Sequence, residues 1–283
     1  MITRSFKSRF FAALALSALG LATLTLLSLL GLIIVKGAGA INLDFLTQSS
    51  RSFGASGGIS DQIIGSLLMV VIAGLLVLPV SLGLALYMSE IIKSARARRA
   101  AKTILLTLNT IPSITFGIFG LVFFVTILGT GISWFVGSII LAFMMLPTVT
   151  LASYQSLNAI PSIYRENGYS LGFTQSQTFT HILIPQSFHG TVTGLLIGLA
   201  RAVGETAPIM FVATAFSGVG FPSALHEPVS TLPTHILALA QQATNPEAVA
   251  NAWGAALVLI LIVMGFSLAG QTLRILRRKE LSL

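Results

Sequence analysis

The sequence contains no cysteine and little charge: Asp, Glu, Lys and Arg together make up 8% of its 283 residues. Without cysteine there can be no disulfide, no thiolate metal site and no cysteine nucleophile, so the fold must stand on packing alone. With so few charges, 54% apolar residues and a mean hydropathy of +0.92, an ordinary water-soluble surface is excluded and a polytopic membrane protein is indicated. Also missing are the HExxH metal motif, a usable Ser–His–Asp set and the GxxxxGK[S/T] phosphate loop. The chain is therefore expected to be neither an enzyme nor a nucleotide binder in its own right. The formal net charge is +8, but the basic residues fall in short clusters beside apolar runs, not in a stripe interleaved with aromatics. Membrane topology explains them, and nucleic acid is not an expected partner.

What the sequence does contain is six apolar runs of the length, about 20 residues, that spans a bilayer. They lie at Phe10–Val35, Ile63–Met88, Thr103–Leu128, Ile132–Tyr154, Gly190–Phe216 and Ala252–Leu273. The expectation is an all-α membrane protein forming one transmembrane domain over residues 1–283. The first run follows Arg4, Lys7 and Arg9 and precedes AGA at Ala38–Ala40, as a signal peptide would. A signal core is only about 7–15 residues long, so this longer run reads as an uncleaved span. With the N-terminus inside, thirteen of the sixteen Lys and Arg residues are cytoplasmic, Lys36 and Arg51 lie outside, and Arg201 is in the membrane. Both termini are then cytoplasmic, 36–62 and 217–251 are outer loops, and 155–189 is the long cytoplasmic loop.

In the first outer loop, GASGG at Gly54–Gly58 formally matches a nucleophile elbow. It has no preceding strand and no Asp or His partners, so it reads as flexible loop, with Ser60 or Asp61 capping the second span. The second outer loop is expected to hold a short helix over Pro233–Ala243, stopped by Asn245–Pro246. His226 and His235 have no Cys or carboxylate at metal spacing and are assigned an ordinary surface role.

The fifth run carries GLLIGLARAVGETAPIM, with Arg201 and Glu205 one helical turn apart and Gly204 and Pro208 interrupting the helix at the same level. Ions at membrane depth cost several kcal/mol and usually face a pathway or a bundle interior, so these two residues mark a binding site. A pair that only satisfies itself is the plain alternative. Gly194 and Gly198 read as a close-approach helix face. In the third run, Asn109, Thr110, Ser113 and Thr115 surround Pro112, supplying polar groups where the helix opens and a second candidate lining. In the long cytoplasmic loop Pro161 precedes one short helix and Gly172 ends it. Thr174 and Gln177 then form a capping box that begins a second helix, expected to stop before Pro185.

At that loop the chain resembles the permeases of binding-protein-dependent ABC importers. Their loop motif is EAA, three residues, Gly, nine residues, then I-x-L-P. Here it reads ENGYSLG from Glu166 to Gly172 and ILIP from Ile182 to Pro185, with Asn167, Gly168 and Ile184 as departures. ARAVGETAP, GGISDQIIGSL and NTIPSITFGIFGL are similar to the phosphate-specific branch, and to its PstA-type subunit across nearly the whole chain. The resemblance implies six helices of the type I importer architecture and a coupling role for Glu166, Gly172, Ile182 and Pro185. It also implies a PstC-type second permease, two copies of a PstB-type ATPase that binds the ATP and Mg, and an external PstS-type phosphate-binding protein. This chain would then hold no cofactor of its own, and its place would be the bacterial cytoplasmic membrane, among lipid.

The chemistry of Arg201, Glu205, Thr206 and Ser113 suits an anion pathway. Arg presents a planar fork that matches phosphate oxygens. Phosphate near neutral pH keeps a proton and can donate a hydrogen bond to Glu205 or Thr206, whereas sulfate has none to donate. Glu205 therefore either confers selectivity or pairs with Arg201 when the site is empty. An importer for another solute, such as phosphonate or an amino acid, and an ion-coupled carrier are the competing readings.

Overall fold

The computed structural model of the chain describes residues 2–214 and 221–280. Among these, five helices are long and apolar enough to cross a membrane, and the count rises to six if one bent helix pair is taken as a single span. Helix α1 (Ile2–Ala38) contains the first span and packs chiefly against the last helix. There Gly37 lies so close that an added Cβ would stand 2.6 Å from the Trp253 carbonyl oxygen, and Lys36 Nζ sits 5.4 Å above the Trp253 ring.

The first outer loop is a folded lobe, which corrects the expectation of a flexible linker. Helix α2 (Leu43–Thr47) is capped by Asn42, whose side chain accepts from Phe45 N at 2.7 Å. Strands β1 (Ser50–Arg51) and β2 (Ser56–Gly57) pair antiparallel around a short turn in which Gly54 holds φ +92 and Gly57 φ +83. A strand does precede Gly54, but no hydrogen bond joins Ser56 to a His or a carboxylate among the described residues. Phe45 and Ile59 bury against Leu232 and Ala255, and that apolar contact is what orders the lobe.

Helix α3 (Ser60–Leu86) continues into a π-helical turn at Tyr87–Ile91. Neither Ser60 nor Asp61 caps it: the cap position is Ile59, and the Ser60 hydroxyl is committed to Gln48 O at 2.9 Å.

The third span is not one helix. It divides into α4 (Ala95–Leu108) and α5 (Ser113–Gly120, prolonged by a π-helical turn to Ile127), bent by 87°. Pro112 has no N–H and biases the preceding residue away from helix, which stops α4 and lets the chain turn at 109–112. The basic stretch Lys93–Lys102 is largely the first half of α4.

Helix α6 (Trp134–Asn158) is the fourth span. Helix α7 (Ser162–Ser170) follows, then α8 (Gln175–Thr178), a π-helical turn at Phe179–Leu183, and α9 (Ile184–Val203). The last three form one continuous helix, Gln175–Val203, so the predicted stop before Pro185 does not occur. The wider π turn immediately before it and a place in the first turn of α9 let the proline pass.

The predicted fifth span over Gly190–Phe216 also ends early. The helix stops at Val203 and resumes as α10 (Ala207–Val212); Phe216 lies outside the described residues.

Helix α11 (Leu232–Ala240) lies in the second outer loop, with the capping box Thr231/Thr234 at its start. Helix α12 (Pro246–Glu280) begins six residues before the predicted sixth span, because Asn245 and Pro246 start it instead of closing α11. Asn245 Oδ1 accepts from Glu247 N at 3.0 Å, and proline is at home in the first helical position.

The main core lies where α3, α6 and α9 meet: Met69, Val70, Ile140, Leu141, Val149 and Val203 are all buried in it. Gly194 and Gly198 take the close-approach role expected of them. A Cβ on Gly194 would overlap that of Ala152, and one on Gly198 would stand 3.2 Å from Met145 Cε.

Candidate functional site

Two helix breaks face each other inside the bundle. One is Asn109–Pro112, between α4 and α5; the other is Gly204–Thr206, between α9 and α10. They are held together at Gly117, where an added Cβ would stand 2.7 Å from Pro208 Cα, so only glycine lets α5 lie this close to α10. Beyond the second break the chain is pinned by Ser133 N donating to Val212 O and Val229 N to Ala213 O, at 2.8 and 2.9 Å.

Arg201 sits in the last turn of α9, at the level of Thr148 near the middle of α6. Its Nε lies 3.5 Å from Glu205 Oε1, and its Nη1 donates to Asn109 Oδ1 at 3.0 Å. The same Oδ1 accepts from Thr148 Oγ1 at 3.2 Å. Three side chains thus cluster around one guanidinium, Glu205 and Asn109 in direct contact and Thr148 through Asn109. The Arg201 side chain is still 47% exposed, while that of Glu205 is 16% exposed, so the cation presents an open face and the carboxylate lies behind it.

The space behind Arg201, between α6 and α9, is only about 10 Å³ and holds at most one water. Any ligand of Arg201 must therefore approach the exposed side of the guanidinium. A larger open cleft of about 900 Å³, lined by Ile160, Tyr164, Gln186, Gln271 and Arg274, lies toward the basic end of the bundle. Volume alone would favour that cleft, but the converging polar groups are at Arg201.

The sequence-predicted site is thus only partly assembled. Arg201 and Glu205 are paired as expected, although Glu205 stands just past the helix end. Thr206 precedes α10 and is half-buried; Ser113 opens α5 one turn before Gly117, and no hydrogen bond links either hydroxyl to the cluster among the described residues. Of the polar group around Pro112 it is Asn109 that reaches Arg201, whereas Thr110 turns back to Thr107 O. Thr148 was not singled out from the sequence, because one Thr in an apolar run carries no local signal.

The second candidate region is the elbow at the basic end. Gly172 holds φ +82, and Phe173 N and Gly172 N donate to Gly168 O and Tyr169 O, both at 3.0 Å, closing α7 with a Schellman motif. The Thr174–Gln177 capping box is formed as the spacing predicts. Ile182 folds over Gly168, where a Cβ would stand 2.7 Å from Ile182 Cδ1; this contact accommodates the glycine that replaces an alanine of the motif. Pro185 is exposed on the following helix. Glu166 points outward beside exposed Ile163, Tyr169 and Leu171.

Arg165, the next residue along α7, points inward. Its Nε and Nη2 grip the Glu90 carboxylate at 3.2 and 2.8 Å, and its guanidinium also donates to Ile160 O and Leu157 O at 2.9 and 3.0 Å. The elbow is thereby fastened to the end of α3, a connection the sequence offered only as an isolated arginine.

His235, given a surface role from the sequence, is buried at 5% exposure. It packs against the hairpin, where a Cβ on Gly54 would stand 2.5 Å from its ring, and burial pushes its pKa down to about 4.

The profile of one family, described as binding-protein-dependent transport system inner membrane component, matches residues 80–279. A probable PstA phosphate transport permease of Methanocaldococcus jannaschii is 33% identical, over 92% of this chain and 91% of its own length. The Xylella fastidiosa PstA is 32% identical over 87% and 85%. Among solved structures, the fold is similar to a chain of a bacterial alginate ABC transporter in complex with an alginate-bound periplasmic protein, at TM-score 0.62 and 19% identity, covering 91% of this chain and 92% of that one. It is also similar to a chain of the MetNI methionine ABC transporter in an inward-facing conformation, at TM-score 0.61 and 20% identity, covering 78% and 95%.

Proposed function

The chain belongs to the binding-protein-dependent transport system inner membrane components, and from that membership we propose that it is the PstA-type permease subunit of an ATP-driven importer of inorganic phosphate. The observation that carries this reading is the half-exposed guanidinium of Arg201, held by Asn109 and Glu205 where two helices break. A planar cation whose remaining donors face open space is suited to a tetrahedral oxyanion, and partial desolvation strengthens each contact. Similarity to phosphate permeases over nine-tenths of the chain supports the same substrate.

Glu205 serves selectivity by accepting a hydrogen bond from the P–O–H group that hydrogen phosphate retains, with the Thr206 and Ser113 hydroxyls as neutral partners along the path. Since the Arg201 side chain is still 47% exposed, a PstC-type permease completes the site. The exposed apolar residues of α7 around Glu166 support docking of a PstB-type ATPase there, with ATP and Mg on that subunit and none here. Gly172, Ile182 and Pro185 shape the elbow that docks. A PstS-type protein delivers phosphate from outside. The basic end is cytoplasmic, as are both termini, and the membrane is the bacterial inner membrane.

Replacing Arg201 by Ala in the assembled, reconstituted complex tests the reading. Phosphate uptake is expected to fall by about a hundredfold or more, as for loss of charge-assisted hydrogen bonds worth about 3 kcal/mol. Uptake that survives intact would overturn it.

A further inference from the structure

The amide of Asn109 is held one way round. Its Oδ1 accepts from Arg201 Nη1 and from Thr148 Oγ1. A guanidinium has donors only, so turning the amide over would set donor against donor. The Nδ2 group is therefore directed away from both partners. No described residue accepts a hydrogen bond from it, and the residue is exposed on the open side of the site. Two oriented N–H bonds thus stand beside the half-exposed guanidinium, at a break where α4 has ended and no backbone of its own competes for them.

From this geometry we infer that Asn109 contacts the substrate itself, its Nδ2 donating to an oxygen of the oxyanion held by Arg201. This rests on the reading of Arg201 as the phosphate-binding group. A neutral donor adds hydrogen bonds without adding charge, which keeps the hold on the anion modest enough for release. Thr148, by fixing the acceptor end, keeps the donor end aimed when the site is empty, so no reorientation is needed as the anion arrives.

The alternative is that Asn109 merely braces Arg201, and two substitutions separate the cases because they predict opposite orders. Asn109→Asp keeps, and by its charge strengthens, the acceptor toward Arg201 and Thr148 but removes the donors. Asn109→Ser keeps an acceptor and one donor. Phosphate uptake by the reconstituted complex is measured with each, assembly being verified by co-purification of the second permease and the ATPase.

If Asn109 contacts substrate, the Ser variant stays within a few-fold of the native rate and the Asp variant falls about tenfold or more below it. An Asp variant equal to or faster than the Ser variant, whether both are active or both inactive, overturns the inference. Arg201→Ala measured alongside distinguishes the failures. If that variant is dead while Asp and Ser rank equally, only the role of Asn109 is lost; if it transports normally, the phosphate reading falls first.

Discussion

Arg165 and Glu90 stand 75 positions apart in the chain and form a two-pronged ion pair at the junction of the elbow with the transmembrane bundle. Their side chains are 19% and 10% exposed, so the pair is shielded from salt and from competing water. With two main-chain carbonyls on the same guanidinium, α7 can move only by taking the end of α3 and the end of α6 with it.

Breaking that connection is expected to uncouple the transporter. Glu90→Gln or Arg165→Gln leaves a partly buried charge without its partner, a loss of about 2–3 kcal/mol. The expected result is ATP hydrolysis that no longer responds to loaded phosphate-binding protein, with uptake down about tenfold or more. The exchange Glu90→Arg with Arg165→Glu should recover part of the response. ATPase rates with and without substrate, beside uptake in the same vesicles, provide the check.

Glu205→Gln should change preference more than rate. Glutamine keeps only a neutral carbonyl acceptor and puts a donor in place of one carboxylate oxygen, so the charge-assisted hydrogen bond from the anion's P–O–H is lost and the ratio of phosphate to sulfate uptake should fall about tenfold. An unchanged ratio would leave Glu205 as the partner of Arg201 and nothing more.

The outer lobe should weaken in acid. The His235 imidazole is held at about 4, against an ordinary 6.5 when the chain is unfolded. Between those values the unfolded chain binds the extra proton and the folded lobe does not, so stability is complete above pH 6.5 and declines as pH falls toward 4. The full loss is about 3 kcal/mol. Thermal midpoints of the detergent-solubilised protein across that range should drop by several degrees, and His235→Leu should flatten the profile.

Gly194→Val should loosen the contact between α6 and α9. The added Cβ falls on that of Ala152, and forced separation of two packed helices costs about 1–3 kcal/mol. A lower thermal midpoint and a reduced yield of assembled complex are expected; Gly39→Val, at a position with open space around it, serves as the control.

Much of this was legible locally. Apolar run length located the spans, Gly204 and Pro208 announced the break beside Arg201, and Gly172 with Thr174 and Gln177 laid out the elbow. These signals act within a few residues, and that is why they read true. Proline was less informative: Pro112 accompanies an 87° turn, while Pro185 rides inside an unbroken helix. The difference lies in what surrounds each, a polar Asn109 with a partner across the bundle in one case and a widened turn of helix in the other. Pairings such as Asn109 with Arg201, 92 positions apart, and Arg165 with Glu90 depend on how helices stack, and no local pattern encodes them. His235 was misplaced for the same reason, since the hairpin that covers it comes from the far end of the sequence.

The unbroken helix from Gln175 to Val203 has a mechanical consequence. Its 29 residues make a stiff rod about 43 Å long, with the elbow at one tip and the guanidinium near the other. Pivoting such a rod by about 5° carries its far tip through about 4 Å, more than the length of a hydrogen bond. A small rocking at the elbow, carried without relay along the rod, is then of the size needed to separate Arg201 from Asn109.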